Sequence, residues 1–571
     1  MEETILKWAL KNALDHRGKA EVGPVLSKVL GERPDLRPMA AKVRASVEKI
    51  VAEVNRMGLE DQKSRYSEIM EKIGVVEPVK VSQERRGLPP LVGAEVGKVV
   101  TRLPPEPSGY MHLGHALSGV INAEYARMYD GKLWLRFEDT NPRKVKLDYY
   151  ESFRRGYKWL GIEWDFEKNN SDDMELYYDY GRRMIELGFL YACTCTEDEL
   201  HRLRATGMGC VHRVRDVQEN LIEWERAIEG VYDEGDISFR LRGDPSSENT
   251  VMRDPVLFRI VKHPHPLKGN DYNLWPTYDF AVAVQDAVCG VSHVLRSSEF
   301  APRDELQNMI RSVLGLRSPV IVEYSRFEFR GAPTSKRIIR QLIEEGLISG
   351  WDDPRLTTIE GVRRRGILPE TVREFTLSYT ALTFARKEYD WSLLTSLNRK
   401  LLDPRVRRFF FVPDPVQLRV SGFEPRSVRI PFHPSKNLGD RIIRAGHSIY
   451  ISGNDIAQIK VGEVIRLKYL MNIRILRING FVEAENVGEA PIEGVPIIQW
   501  VGDDSRELLI HRPGLLLRED GSFNTDSMEL VKGLGEPAVE SIGLDEVVQF
   551  ERFGFCRRDK VDSFDFIFCH E

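Results

Sequence analysis

The sequence predicts a multidomain α/β chain, with a helical domain at the amino terminus, a Rossmann-type parallel-sheet domain after it and a β-barrel region at the carboxyl end. Three observations carry this. Residues 2–74 show apolar positions at helical spacing and no strand pattern. A βαβ pattern begins near Val96, and after about Phe409 the chain turns to short alternating runs broken by Gly, Pro and Asn. At 571 residues there is room for three or four domains, and 42% hydrophobic residues supply a core for each.

The helical domain rests on Leu6, Leu10 and Leu14, then on Val43, Val47, Ile50, Val51 and Val54. Three- and four-residue spacing lines one face of a helix. The domain is set at residues 1–92 because Arg85 to Gly93, with two prolines and several charges, reads as a linker. The parallel-sheet domain is expected over 93–400. In it Val99–Leu103 is a short β run, Pro104 to Gly109 a loop, and Leu113, Leu117, Val120 and Ile121 the period of a helix that Gly131 stops; Lys132–Phe137 alternates as the next strand. Such a unit presents a ligand site at the carboxyl end of its first strand. Residues 401–571 form the β-barrel region, with Ile465–Tyr469 and Ile473–Ile478 among its strands.

Composition narrows the chemistry. A net charge of -5 gives no broad basic field, so any nucleic-acid site is a local patch. Glu2 and Glu3 stand where a secretory signal is basic, and no apolar run approaches the roughly 20 residues that span a bilayer, so a cytoplasmic chain without a membrane partner is expected. Six cysteines are too few for a disulfide scaffold in this length, which leaves metal binding or packing.

Gly93 to Val99 superficially looks like a phosphate-binding loop, but its spacing is wrong and it lacks the Ser or Thr that holds magnesium. The stronger candidate follows the strand. Arg102-Leu-Pro-Pro-Glu106-Pro-Ser108-Gly109-Tyr110-Met-His112-Leu-Gly114-His115 puts two imidazoles at a helix amino terminus. Free N–H groups and the helix dipole attract a polyphosphate there, and imidazole donors can follow charge that develops on it. Gly114, lacking a side chain, lets an adenine ring lie against the helix. An isolated pair of this kind is better read as capping or surface residues. This pair is not isolated, because Gly331-Ala-Pro-Thr334-Ser335-Lys336-Arg337 and Trp351-Asp352-Asp353-Pro354-Arg355 follow.

Together these runs resemble the two signatures of class I aminoacyl-tRNA synthetases. With Arg136-Phe137-Glu138-Asp139-Thr140-Asn141-Pro142 and Tyr278-Asp279-Phe280 they resemble, more narrowly, the glutamyl- and glutaminyl-tRNA synthetase subfamily, from about Val96 to the carboxyl end. The resemblance implies an ATP- and Mg2+-dependent ligase in which His112, His115 and Lys336 are catalytic and Gly114, Ser335, Lys336 and Arg337 meet ATP. It further implies that Arg102 contacts the amino acid's carboxylates, Glu138 its ammonium, and that Tyr278 lines the pocket. Acidic residues after a strand are otherwise caps or surface ion pairs. The second signature departs from the family's Lys-Met-Ser-Lys-Ser, with Pro333 and Thr334 before Ser335 and Arg337 after Lys336. By the same resemblance, residues of about 190–275 form an insertion for the tRNA acceptor end, about 338–400 a helical stem, and the β-barrel region binds the anticodon, as in archaeal-type glutamyl enzymes.

Arg296 narrows the substrate. It stands where glutaminyl enzymes of the family carry a small neutral residue, and a carboxylate needs a cation, so L-glutamate is expected; the alternative for Arg296 is a structural pair with Glu299. The partners are then tRNA(Glu), with tRNA(Gln) left open, and the chain is expected to be a monomer. Cys193-Thr-Cys195 and, after fourteen residues, Cys210-Val-His212 supply three thiolates and an imidazole, a set that suits tetrahedral structural Zn2+, against ordinary packing as the alternative. Arg363-Arg364-Arg365, and Arg399-Lys400, Arg405 and Arg407-Arg408 beside Phe409-Phe410-Phe411, are candidates for phosphate contact and base stacking, or are solvated charge. A glutaminyl-tRNA synthetase is the nearest alternative; a non-catalytic tRNA-binding paralogue should have lost the histidines or Lys336.

Overall fold

The computed structural model describes residues 2–15, 18–33, 39–58, 61–62, 64–66, 69, 88–333, 335–379 and 387–571, and strand and helix numbers refer to these. The later part of the expected helical run, most of the expected linker start, and Thr334 lie outside them. The chain divides into two compact units, Met1–Arg85 and Arg86–Glu571.

In the first unit, α1 (Glu2–Asp15), α2 (Val22–Glu32) and α3 (Ala40–Val54) share one core built from Ile5, Ala9, Leu10, Ala13, Val25, Val29, Val43, Val47, Val51 and Val54. The apolar stripe of α1 is centred one residue from the Leu6–Leu10–Leu14 row. Small Ala9 and Ala13 let the helices approach, and Leu6 is only half-buried beside them.

The second unit opens with a parallel sheet. β1 (Val100–Leu103) pairs with β2 (Lys132–Phe137), and β2 with β3 (Phe166–Asn169). Between β1 and β2 runs α4 (Leu113–Met128). Gly131 does more than follow that helix, because a Cβ there would lie 2.1 Å from the Val99 carbonyl oxygen, so only glycine admits the chain at this crossing. After β3, α5 (Leu147–Trp159) having come before it, α6 (Met174–Glu186) leads into the excursion. There β4 (Leu190–Cys193), α7 (Glu197–Thr206), α8 (Val217–Ile228), β5 (Ser238–Leu241), β6 (Val256–Ile260) and β7 (Leu274–Pro276) form an antiparallel sheet in the order 4-5-6-7 around Trp224, Phe239, Phe258 and Trp275.

The chain then re-enters the parallel layer. α9 (Tyr278–Val288) precedes β8 (His293–Ser297), which pairs with β9 (Val320–Tyr324) across α10 (Asp304–Leu314). Ser292 joins the two halves, its N–H donating to the Val100 carbonyl (3.0 Å) while its hydroxyl accepts from the Val100 N–H (2.8 Å). The layer therefore runs 3-2-1-8-9, with a side chain standing in for a regular ladder at the seam between β1 and β8. Four further helices follow, α11 (Lys336–Glu344), α12 (Ile359–Arg364), α13 (Pro369–Tyr379) and α14 (Trp391–Leu402).

Beyond them come a six-stranded and a seven-stranded sheet with separate cores, the β-rich region expected from the sequence. The seven-stranded sheet takes residues 408–413 and 506–570, so the chain starts it, leaves to build the six-stranded sheet, and returns. Phe409 and Phe411 enter one core and Phe410 the other, as strand alternation requires. All three are buried, which overturns their reading as base-stacking residues.

Most of the arginines in the basic clusters have partners within the chain. Arg364 pairs with Asp559 (2.7 Å), Arg365 lies over the Trp391 ring (4.7 Å), and Arg405, Arg407 and Arg408 pair with Glu370, Glu546 and Asp403 at 3.1, 2.9 and 2.9 Å. These guanidiniums fasten elements together; Arg363, Arg399 and Lys400 face solvent.

Candidate functional site

The loops after β1, β2, β8 and β9 surround a cavity of about 1040 Å3. Arg102, His112, Gly114, His115, Glu138, Tyr278 and Arg296, named from the sequence as far apart as 194 positions, all line it. This is the carboxyl edge of a parallel sheet, where strand order and loop geometry leave room for a ligand.

His112 caps α4, its Nδ1 accepting from the Gly114 N–H at 3.1 Å, while the Nδ1 of His115 accepts from the His112 N–H at 3.3 Å. Each Nδ1 is thereby an acceptor, so each neutral ring carries its proton on Nε2. The rings lie 3.8 Å apart between centroids. Burial, with Lys336 and Arg326 nearby, pushes His112 down to about 3, and His115 falls well below its ordinary value for the same reasons plus its neighbour His112. The backbone bonds that cap the helix thus also fix the direction of two neutral donors. A Cβ on Gly114 would meet the His112 ring at 2.9 Å, so the glycine also protects that cap.

The Trp351–Arg355 motif does not reach the cavity but fixes the start of α4. The Arg355 guanidinium grips Asp353 at 2.8 and 2.7 Å, Trp351 stacks on Tyr110 at 5.1 Å, and the adjoining Thr357 carbonyl accepts from the Leu113 N–H at 2.8 Å. Lys336, the first residue of α11, reaches across to donate from Nζ to Ser108 Oγ at 2.6 Å, and Ser108 in turn donates to Glu106 at 2.5 Å. It passes over Gly109, where a Cβ would lie 2.7 Å from its Cδ. Burial lowers the Lys336 pKa. Ser335 is exposed and borders a separate, 300 Å3 pocket with Ala332 and Pro333. Arg337 is exposed and outside the residues lining the large cavity.

Arg296 is nearly buried. It donates to Gln307 Oε1 (2.9 Å), pairs with Asp304, and has Glu323 3.9 Å away, whereas Glu299 pairs instead with Arg326 at 3.6 Å. Tyr278 stands under Arg303, whose guanidinium lies 5.6 Å from the ring. Glu138 takes the Arg136 Nη2 at 3.5 Å, and burial raises it to about 7 in spite of Arg136 and Arg102.

One residue that the sequence reading passed over sits behind this wall. Asp286, on α9, accepts from Arg102 Nε at 3.2 Å and from Arg136 Nη1 at 2.8 Å, and its other oxygen lies 3.6 Å from Arg311 Nη2. The sequence did carry a signal, an aspartate inside the apolar run Tyr278–Val288 and eight residues after Tyr278, two helical turns along the same side.

Apart from the cavity, Cys193, Cys195, Cys210 and His212 converge, with all four ligand atoms within 4.8 Å of one another. The Cys193 and Cys210 sulfurs are 3.6 Å apart, and His212 Nδ1 lies 3.4 Å from Cys195 and 3.8 Å from Cys193. Thr194 Oγ1 holds His212 Nε2 at 3.0 Å, so Nδ1 faces the thiols. Tetrahedral zinc with bonds of about 2.3 Å to sulfur and about 2.0 Å to nitrogen needs S–S near ~3.7 Å and S–N near ~3.5 Å, so the donor set fits. Among the described residues no helix is long and apolar enough to cross a membrane.

Comparison with known proteins agrees with this geometry. Residues 98–404 match the catalytic-domain family of class I tRNA synthetases (E and Q), and residues 406–491 and 497–559 match its two anti-codon binding domain families. The glutamate–tRNA ligase of Cenarchaeum symbiosum is 41% identical over 97% of both chains, that of Nitrosopumilus maritimus 40% identical over 100% of this chain and 99% of its own, and that of Pyrococcus furiosus 39% identical over 99% and 98%. The chain belongs to the class I glutamyl/glutaminyl tRNA synthetases, and its relatives of archaeal origin match it from end to end.

Proposed function

We propose that the chain activates L-glutamate with ATP to glutamyl-adenylate and transfers the glutamyl group to the terminal adenosine of tRNA(Glu). The observation that carries this reading is one cavity lined by the two histidines of α4 and by Glu106, to which Lys336 connects through Ser108, together with Arg102, Arg296 and Glu138, the cations and carboxylate a dicarboxylic amino acid requires.

Activation joins the glutamate α-carboxylate to the α-phosphorus and releases pyrophosphate. The histidines act as neutral donors to the phosphate oxygens, so they stabilise charge without changing protonation, and Lys336 neutralises the leaving pyrophosphate. Glu106, which accepts from Ser108 Oγ, is a carboxylate on that side of the cavity, where Mg2+ bound with the nucleotide would supply further charge neutralisation. Ser335, the N-cap of α11, and Arg337, in its first turn, would join the nucleotide only with movement of the amino end of that helix. Arg102 and Arg296 hold the carboxylates and Glu138 the ammonium, with Tyr278 as the wall. The 3′ hydroxyl end of tRNA then enters from the β4–β7 side, where Arg204, Thr250 and Arg259 border the cavity.

Zinc belongs to the Cys193, Cys195, Cys210 and His212 set. A centre of three thiolates and one imidazole carries one net negative charge, and the buried Arg240, its Nη1 3.8 Å from Cys193 Sγ, offsets it. Monomeric action in the cytoplasm completes the reading, and the test below decides whether tRNA(Gln) is glutamylated besides tRNA(Glu). The test is charging of separate tRNA(Glu) and tRNA(Gln) transcripts with labelled glutamate and labelled glutamine. Glutamate should be transferred to tRNA(Glu) and glutamine to neither. Glutamine transfer without glutamate transfer would sink the reading.

A further inference from the structure

We infer that Asp286 is a positioning residue for the amino-acid site: one buried carboxylate aims Arg102 at the substrate and sets how much of Arg136 is left for Glu138. This rests on the glutamate reading above.

Asp286 has no exposed surface, and neither has Arg136 or Arg311, while Arg102 keeps 1%. A buried carboxylate is unfavourable unless cations surround it. Burial works to raise its pKa, but the three guanidiniums outweigh it and hold Asp286 below the usual carboxylate range. The geometry is selective. Asp286 Oδ1 engages Arg102 by Nε, at the inner edge of the guanidinium, and Arg102 Nη1, also buried, has no hydrogen-bond acceptor among the described residues. Arg102 lines the cavity, and the Asp286 bond at Nε fixes which way its guanidinium faces there. The same oxygen takes Arg136 by Nη1, which leaves Nη2 for a long 3.5 Å contact with Glu138. Glu138 therefore keeps most of its capacity for another cation.

Two variants separate positioning from mere charge balance. Asp286→Asn combined with Arg311→Met removes one charge of each sign, so the cluster keeps its net charge, and Arg311 does not line the cavity. Asp286→Glu keeps the charge and displaces it by one methylene. In both, the KM for glutamate should rise about 10- to 100-fold, the loss of one well-aimed hydrogen bond to a charged group, while the KM for ATP stays within about twofold. Thermal unfolding of each variant is measured alongside. Glutamate KM at the wild-type value in either folded variant, or KM for ATP rising in step with that for glutamate, overturns the inference. A wild-type protein that does not charge glutamate overturns the activity reading itself, and this one with it.

Discussion

Glu138 shows how one residue's surroundings set a measurable profile. Its burial raises the carboxyl to about 7 in the folded chain, against an ordinary value of 4.5. Between those values the folded state holds a proton that the unfolded state does not, so Glu138's own contribution to stability falls as pH rises through that window. Substrate binding runs the other way, because the ammonium of glutamate needs the ionised form. The kcat/KM for glutamate is therefore expected to rise as pH increases through about 7, and kcat to rise less, since the bound ammonium draws the carboxyl back down. In Glu138→Gln this limb should vanish. A profile for glutamate that is flat from pH 6 to 8 in the wild type, with about that span being where the group titrates, would contradict the assignment. The two histidines should add no limb of their own in this range, because burial keeps both rings neutral.

At the scale of elements, the segment that leaves β4 after Cys193 is drawn back to the end of that strand at Cys210 and His212 by side chains. Cys193 ends β4, Cys210 precedes a short 3-10 turn, and the packing around them is limited to Tyr191, Cys195, Leu200 and Leu203. So small a cluster buries little apolar surface, and the proposed zinc would supply what packing does not. One zinc per chain is expected by elemental analysis, and Cys195→Ser should release it to a chelator faster and leave residues 194–214 open to proteolysis. Metal-free protein with the same protease resistance would defeat this. The spacing of these ligands was visible in the sequence because all four lie within 20 positions. Asp286 was harder to see, since its partners Arg102, Arg136 and Arg311 come from two strands and another helix and meet only in the folded layer. Arg296 shows the same limit: the nearby Glu299 was the obvious partner by sequence, yet α10 turns Asp304 and Gln307 towards it instead.

Over the whole second unit, the motifs were legible but the joins were not. Parallel strands, the helix that carries His112 and the change to a β-rich region follow local periodicity. That residues 408–413 pair with strands more than a hundred positions later does not, and the Phe409–Phe411 run was misread for that reason: it supplies two cores at once. The same join contains a buried ion pair. Arg441, in the hairpin beside the six-stranded sheet, pairs with Glu536 next to the seven-stranded one, and both side chains are at most 1% exposed. Glu536 also accepts from the Phe410 N–H at 2.9 Å, and Arg441 lies 5.2 Å from the Phe410 ring and 5.4 Å from that of Phe432. Removing one partner leaves the other charge buried, at a cost of about 3–5 kcal/mol. Glu536→Ala is therefore expected to lower the melting temperature of the β-rich region by several degrees, at roughly 2–4 °C per kcal/mol for a body of this size. The KM values for ATP and glutamate should hold, because no residue of the cavity lies in that region. Combining Glu536→Ala with Arg441→Met should recover most of the lost stability, since neither charge then remains; a double variant no more stable than the single one would show that the pair does not act as a unit.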